Sequence, residues 1–153
     1  MLVKPLLIII SVLSLFVITT IEVKALEYNS IIDELENPQI SFEKKYNLLT
    51  EISKLELSKQ QEALSILLEK AKAQKQVETF SELYSRIAHN DLFLGNINHA
   101  KLVLDSASMF LPKITDNNTI ALYHYASGDY YNLMLDETNA HRNYYEAIRY
   151  YEQ

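Results

Sequence analysis

Apolar residues recur at steps of three and four along most of this chain, which is the spacing that places them on one face of a helix. The clearest example is the stretch from Phe80 to Pro112. Its pattern predicts one helix over about residues 77–94 and a second over about 97–111, joined by a tight turn at Gly95. No segment alternates apolar and polar residues long enough to predict a strand. The pattern therefore predicts an all-α protein.

The same spacing predicts helices on both sides of this stretch. Their expected ranges are about 26–36, 41–56, 58–76, 119–134 and from 138 to the end of the chain. Ser41 and either Asp116 or Asn117 have side chains that can cap two of these helices. Proline cannot continue helical hydrogen bonding, so Pro38 and Pro112 are expected to follow helix ends.

The first residues have a different pattern. Lys4 precedes an almost uninterrupted apolar run over residues 6–21, and the small residue Ala25 precedes a possible cleavage site. This arrangement predicts a signal peptide over residues 1–25 and a protein exported to the periplasm or secreted. The alternative is an uncleaved membrane anchor over residues 5–21, because the run is only slightly shorter than the roughly 20 residues that span a bilayer.

The rest of the chain is long enough for one domain. We expect a lead-in helix and linker over residues 26–40 and a helical domain over 41–153. The chain has 14 basic and 20 acidic residues, and the acidic side chains are spread along the predicted helices. This balance argues against a nucleic-acid partner. With only two glycines and three prolines, the sequence is poorly suited to the many turns of a β-sandwich.

Candidate chemistry is sparse. The chain has no cysteine, no glycine-rich phosphate loop and no nucleophile-elbow motif. The histidines lack the paired spacing of metal ligands; they are His89, His99, His124 and His141. We therefore expect no catalytic residues, no metal and no cofactor.

Internal similarity is the strongest signal in the sequence. Three units can be aligned through an alanine in the second helix of each, at Ala63, Ala100 and Ala140. The middle unit contains Tyr84, Ala88, Gly95, Ala100, Leu104, Ala107 and Pro112, and the last contains Gly128, Tyr131, Ala140, Tyr144 and Ala147. This succession of aromatic, small and proline residues resembles the tetratricopeptide repeat. Small residues such as Gly128 and Ala140 are expected to face each other where two helices approach closely.

The resemblance implies a right-handed α-solenoid, an array of about three antiparallel helix hairpins over residues 44–76, 77–114 and 119–153. It extends to the extracytoplasmic repeat regions of bacterial sensor and regulator proteins. It therefore implies a non-catalytic module that binds a protein or peptide, as a scaffold or as the sensor part of a longer signalling protein. Two residues depart from the family pattern. Asp91 occupies an apolar position, where we expect it to be paired or solvent-facing, and Leu135 replaces a turn glycine.

The concave side of such an array is made mostly by the first helix of each repeat. Matching the helix faces nominates a groove that contains Ile52, Glu82, Ser85, His89, Phe93, Tyr125, Asp129 and Asn132. Ordinary packing between repeats is the alternative role for each of these residues.

Three further interpretations remain open. The domain could be a small-ligand binder or an enzyme in which Tyr131, His124 and His141 converge. It could instead be an adaptor held at the membrane by a retained N-terminal segment. The apolar positions of the last helix, such as Tyr145 and Ile148, also suggest self-association through the C-terminal helix.

Overall fold

The computed structural model describes residues 25–153, and all the regular secondary structure of this range is helical, with no strand. The predicted all-α class is therefore confirmed for this range, whereas the predicted signal peptide or anchor lies outside it except for Ala25. Residues 25–36 are helical and form α1. The following elements are α2 (Phe42–Tyr46), α3 (Leu49–Ile52), α4 (Leu57–Ala73), α5 (Val77–Phe93), α6 (Ile97–Ser108), a 3₁₀ helix (Leu111–Lys113), α7 (Asn117–Leu133) and α8 (Glu137–Tyr151).

Helix α5 lies at the centre of the fold. It packs against α4, α6, α7 and the 3₁₀ helix, while α8 packs against α7, and α2 and α3 pack against α4. Leu83 of α5 is fully buried, as are Leu35 of α1 and Leu67 of α4. The ring of Phe80 meets the ring of Phe110 edge to face, with their centroids 4.7 Å apart. One continuous apolar core thus extends from α1 to α7.

Three predicted helices differ from the structure. The one predicted over 58–76 is α4, which ends at Ala73. The predicted helix over 41–56 begins as expected, with Ser41 as its N-cap, but it is divided into α2 and α3 at Asn47 and Leu48. There the backbone tightens, since the N–H of Leu48 donates to the carbonyl three residues back. Likewise α6 ends at Ser108, before the predicted end at residue 111, because the chain enters the separate 3₁₀ helix that contains Pro112.

Three turns between helices share one backbone geometry. Their central residues have positive φ angles: 56° at Lys75, 80° at Gly95 and 58° at Leu135. In the second turn the N–H of Asn96 donates to the carbonyl of Asp91 at 2.7 Å, and an equivalent bond closes each of the other two. This is the Schellman arrangement, in which glycine is the preferred central residue. The predicted turn at Gly95 is confirmed, and Leu135 adopts the same left-handed conformation despite its side chain.

Asp91 connects the end of α5 to the start of α6. The residue is only 1% exposed, and its carboxylate lies 2.5 Å from Nδ1 of His99 and 3.3 Å from the amide nitrogen of Asn96. The expectation that Asp91 is paired is therefore confirmed. A buried carboxylate needs such partners because its removal from water is costly.

We predict that Leu135→Gly stabilises the protein by about 1 kcal/mol, because a residue with a Cβ loses roughly 1–2 kcal/mol in the left-handed region. Leu135 is 88% exposed, so its removal sacrifices little packing. Gly95→Ala should destabilise the protein by about the same amount, because the positive φ angle disfavours any residue with a Cβ. Steric overlap would not contribute, since no atom lies within 4 Å of the added Cβ. Chemical denaturation followed by circular dichroism measures both changes. A destabilised Leu135→Gly variant would contradict the turn argument.

We also predict that Asp91→Ala lowers the free energy of unfolding by about 2–3 kcal/mol, because it removes the buried carboxylate that accepts from His99 and Asn96, and a hydrogen bond to a charged group contributes roughly 1.5–3 kcal/mol. Asp105→Ala is the matched control on the surface of α6, where Asp105 pairs with Lys101 in solvent. The control should change stability by less than about 0.5 kcal/mol. Equal losses in the two variants, measured by chemical denaturation, would exclude a special role for the buried carboxylate.

Candidate functional site

Helices α5 and α7 pack side by side and form a surface that we call the α5–α7 groove, defined by His89, Phe93, Tyr125, Asp129 and Asn132. On α5 the side chains of His89 and Phe93 are one helical turn apart, and their ring centroids are separated by 4.8 Å. The imidazole of His89 also lies 5.6 Å from the ring of Tyr125 on α7. The groove is therefore aromatic on both sides.

A polar network fixes the middle of the groove. One carboxylate oxygen of Asp129 lies 2.9 Å from Nδ1 of His89, and the other accepts a hydrogen bond from the Tyr144 hydroxyl at 2.8 Å. A carboxylate can only accept a hydrogen bond, so Nδ1 of His89 must be the donor to Asp129. The other ring nitrogen, Nε2, is then free to bind a further partner. Burial and, secondarily, the bond to Asp129 raise the pKa of Tyr144 to about 12. Its phenol therefore stays protonated, as a donor, at neutral pH.

Cavities lie along the same surface. One, of about 300 Å³, lies beside the C-terminal ends of α5 and α7 and is lined by Leu92, Phe93, Asp129, Asn132 and Leu133. A second, of about 260 Å³, lies between α3, α4 and α5, with Ile52 and His89 in its lining. The first combines apolar walls with an amide and a carboxylate, so it can receive an apolar side chain next to a hydrogen-bonding group.

The other nominated groove residues have different surroundings. Glu82 lies farther along α5, where it accepts a hydrogen bond from the Tyr46 hydroxyl and pairs with Arg86 at 2.8 Å. Ser85 is fully buried and donates to the carbonyl of Ser81 at 3.1 Å. Its nomination as a surface contact is wrong, because α5 is covered on that side as well. Ile52 is 1% exposed and belongs mainly to the core.

The sequence did not nominate Tyr144 for the groove, yet this residue bonds to the groove residue Asp129, and its position also explains Gly128. A Cβ added at Gly128 would lie 2.5 Å from ring carbons of Tyr144. The ring of Tyr144 therefore occupies the space beside Gly128 that a larger residue would need. Tyr144 follows the cap residue Asp136 by two helical turns, but that spacing does not reveal which helix its ring covers.

The other residues that carry the resemblance to the tetratricopeptide repeat are buried or partly buried, except for the exposed Gly95 and Pro112. The buried ones are Ala88, Ala100, Leu104, Ala107, Ala140 and Ala147. Tyr84 and Tyr131 are partly buried. The ring of Tyr84 stacks on Phe110 at 6.5 Å between centroids, and Tyr131 meets the neighbouring Tyr130 at 5.3 Å. These residues contribute to packing and not to the groove.

The histidines do not gather around one centre. His99 pairs with Asp91, and His124 Nδ1 lies 3.0 Å from the side-chain oxygen of Asn143. His124 and Tyr131 line one cavity, but His141 is not in that lining, so the predicted convergence of all three is wrong. Within residues 25–153, no group of three or more histidine or acidic side chains could hold a metal ion.

Comparisons with protein-family models, curated proteins and solved structures give no match to this chain. Among the helices of residues 25–153, none combines the length and apolarity needed to cross a membrane. Function must therefore be inferred from the groove and the cavities themselves.

We predict that Gly128→Ala destabilises the protein by about 1–3 kcal/mol through overpacking, although alanine is the better helix former by about 1 kcal/mol. The physical reason is the overlap of the new methyl group with the Tyr144 ring. In a Tyr144→Ala background the overlap is absent, so the same change at residue 128 should become stabilising. Urea denaturation of the four proteins measures this reversal. A Gly128→Ala effect of the same sign in both backgrounds would contradict the packing assignment.

Proposed function

We propose that this chain is a non-catalytic helical-repeat module that binds a segment of another protein or a peptide in the α5–α7 groove. The observation that carries the proposal is the groove itself. Phe93 is 66% exposed, beside the partly exposed Tyr125, and both lie next to a fixed carboxylate and the amide of Asn132. Aromatic side chains held at a surface beside hydrogen-bonding groups are typical of peptide-binding sites.

Regular spacing supports an arrangement of the tetratricopeptide type. Helix α5 begins at Val77 and α7 at Asn117, and both contain 17 residues. Helices α6 and α8 begin at Ile97 and Glu137, so the second helix follows the first at the same interval in both pairs. The two turns that join these helices, at Gly95 and Leu135, also share one geometry. Together with α2, α3 and α4, these elements suggest a right-handed array of about three helix hairpins, with residues 41–153 as one binding module.

The chemistry of the groove suggests how a partner is held. Asp129 already accepts hydrogen bonds from His89 and Tyr144, so a positive charge on the partner is not required. The cavity beside Phe93 and Leu133 has room for one large apolar side chain. The exposed amide of Asn132 can bond to the backbone of the same segment, as amides do at peptide-binding surfaces.

The location that we propose follows from the apolar N-terminal run in the sequence. Residues 1–25 would act as a signal peptide and deliver the module to the periplasm or the exterior, as an independent scaffold or as the sensor part of a longer protein. Retention of residues 5–21 would instead make it a membrane-tethered adaptor. N-terminal sequencing of the protein isolated from its native cell distinguishes the two forms.

We predict that peptides selected by phage display against the full chain bind in the groove. Phe93→Ala and Asn132→Ala should each weaken binding of a selected peptide about tenfold, which corresponds to about 1.4 kcal/mol for one lost contact. Fluorescence anisotropy of the labelled peptide measures the affinity. Leu102→Ala is the matched control, because Leu102 is 65% exposed on α6, outside the groove.

Two outcomes would contradict the proposal. The first is a selection that yields no peptide with a dissociation constant below about 100 μM. The second is an equal loss of affinity in Leu102→Ala and Phe93→Ala, because the peptide would then bind elsewhere or nonspecifically. Circular dichroism of each variant verifies that the helical fold is intact before the affinities are compared.

A further inference from the structure

The largest of the described cavities is separate from the groove. It has a volume of about 460 Å³ and lies between α6, the 3₁₀ helix, α7 and α8. Its lining includes Lys101, Leu104, Tyr123, His124, Ser127, Tyr130, Tyr131, Arg142, Asn143 and Glu146, and none of the five groove residues belongs to it. This volume falls in the range of small-molecule sites, roughly 300–1,000 Å³.

Ser127, a residue of the cavity lining, has a buried hydroxyl that lacks a hydrogen-bond partner. Ser127 is 4% exposed, and its Oγ makes no hydrogen bond within the described part of the protein. A buried polar atom without a partner costs free energy, so such atoms are uncommon in folded proteins. A ligand that reaches Ser127 could remove this cost.

His124 offers a second polar atom to the same cavity. The amide nitrogen of Asn143 donates to the carbonyl of Asn139 at 2.9 Å, which fixes the amide oxygen of Asn143 as the acceptor for His124 Nδ1. The neutral imidazole therefore carries its proton on Nδ1, and its Nε2 is an acceptor. One serine hydroxyl and one imidazole nitrogen, a single helical turn apart on α7, thus complement a hydroxyl group on a ligand.

The charged side chains that line the cavity differ in whether they form an ion pair. Lys101 pairs with Asp105, and Glu146 pairs with Arg149. Arg142 instead donates to the neutral amide oxygen of Asn139 at 2.7 Å. The ion pairs of residues 25–153 do not include it, although the carboxylate of Asp136 is close enough to interact with its charge. Its guanidinium has further N–H groups, which match the two oxygens of a carboxylate.

Flat aromatic rings make up much of the remaining wall. Tyr130 meets Tyr131 edge to face at 5.3 Å between centroids, and Tyr123 meets His124 in the same way at 5.3 Å. Such rings give their best contact to another flat ring, stacked or edge to face.

We propose that this cavity binds a small aromatic carboxylate that carries a ring hydroxyl. The ring would lie among the tyrosines, the carboxylate would pair with Arg142 at the rim, and the hydroxyl would bond to Ser127 and Nε2 of His124. This site is independent of the peptide groove, since the two share no lining residue.

The test uses 4-hydroxybenzoate as the probe and isothermal titration calorimetry with the full chain. We expect 4-hydroxybenzoate to bind. The affinity should be at least tenfold lower for 4-hydroxybenzyl alcohol, which lacks the carboxylate, and for tyramine, which carries a positive charge in place of the carboxylate. Arg142→Gln should also cause at least a tenfold loss. Arg142 is exposed, so this variant should fold normally. Lys54→Gln is its control, because it also removes one exposed positive charge but lies outside the cavity lining and contacts none of it.

Serine variants separate binding from stability. Ser127→Ala should weaken 4-hydroxybenzoate at least fivefold without lowering the denaturation midpoint, because the hydroxyl that it removes has no partner in the free protein. The matched control is Ser81→Ala, a second buried serine whose Oγ lacks a partner and which lies outside the cavity lining. Its affinity for the probe should not change.

Three results would overturn the proposal: no heat of binding at millimolar 4-hydroxybenzoate, tighter binding of tyramine, or equal losses in Ser81→Ala and Ser127→Ala. The first would mean that the cavity holds only solvent. None of these results bears on peptide binding in the groove, which is measured with different ligands and variants.

Discussion

The fold depends on the burial of α5 from several sides at once. Packing against α4, α6 and α7 covers polar as well as apolar side chains of this helix, and several of the covered polar groups have partners, which offset the cost of their burial. Ser85 uses a carbonyl of its own helix, Asn90 reaches the side-chain oxygen of Gln60 on α4, and Asp91 binds His99 on α6. The bonds of Asn90 and Asp91 specify which neighbours α5 has, because an alternative packing would leave a buried carboxylate unpaired.

Local signals were sufficient to predict most helices of the described chain. Apolar periodicity gave α4 to α8 within a few residues, and the predicted caps Ser41 and Asp116 both accept backbone N–H bonds. The break between α2 and α3 was missed, because continuous apolar spacing does not report a local tightening of the backbone. The burial of Ser85 was missed for another reason. A helix covered on several sides has no single apolar face, so periodicity cannot separate its groove side from its core side.

The helix pair α5–α6 can be aligned with the pair α7–α8, and the alignment accounts for the hydrogen bond between Tyr144 and Asp129. When α5 is aligned with α7, and α6 with α8, from their first residues, Ala88 corresponds to Gly128 and Leu104 to Tyr144. In the second pair, the ring of Tyr144 is larger than the Leu104 side chain, and Gly128 lacks the methyl group of Ala88. The two changes together keep the volume of the close-packed interface about the same. The phenol of Tyr144 then reaches Asp129. Sequence comparison of the units revealed these correspondences but could not show that Tyr144 packs on Gly128.

Helix α7 contributes to both candidate sites. Tyr125 and Asp129 belong to the groove, whereas His124 and Ser127 line the cavity shared with α6 and α8. A helix with polar functions on two sides cannot show a strong apolar stripe, which is why periodicity gave little warning of either site. Its backbone is nevertheless held on both sides, by α5 and by α8. That packing keeps each set of side chains in place without requiring the other site to be occupied.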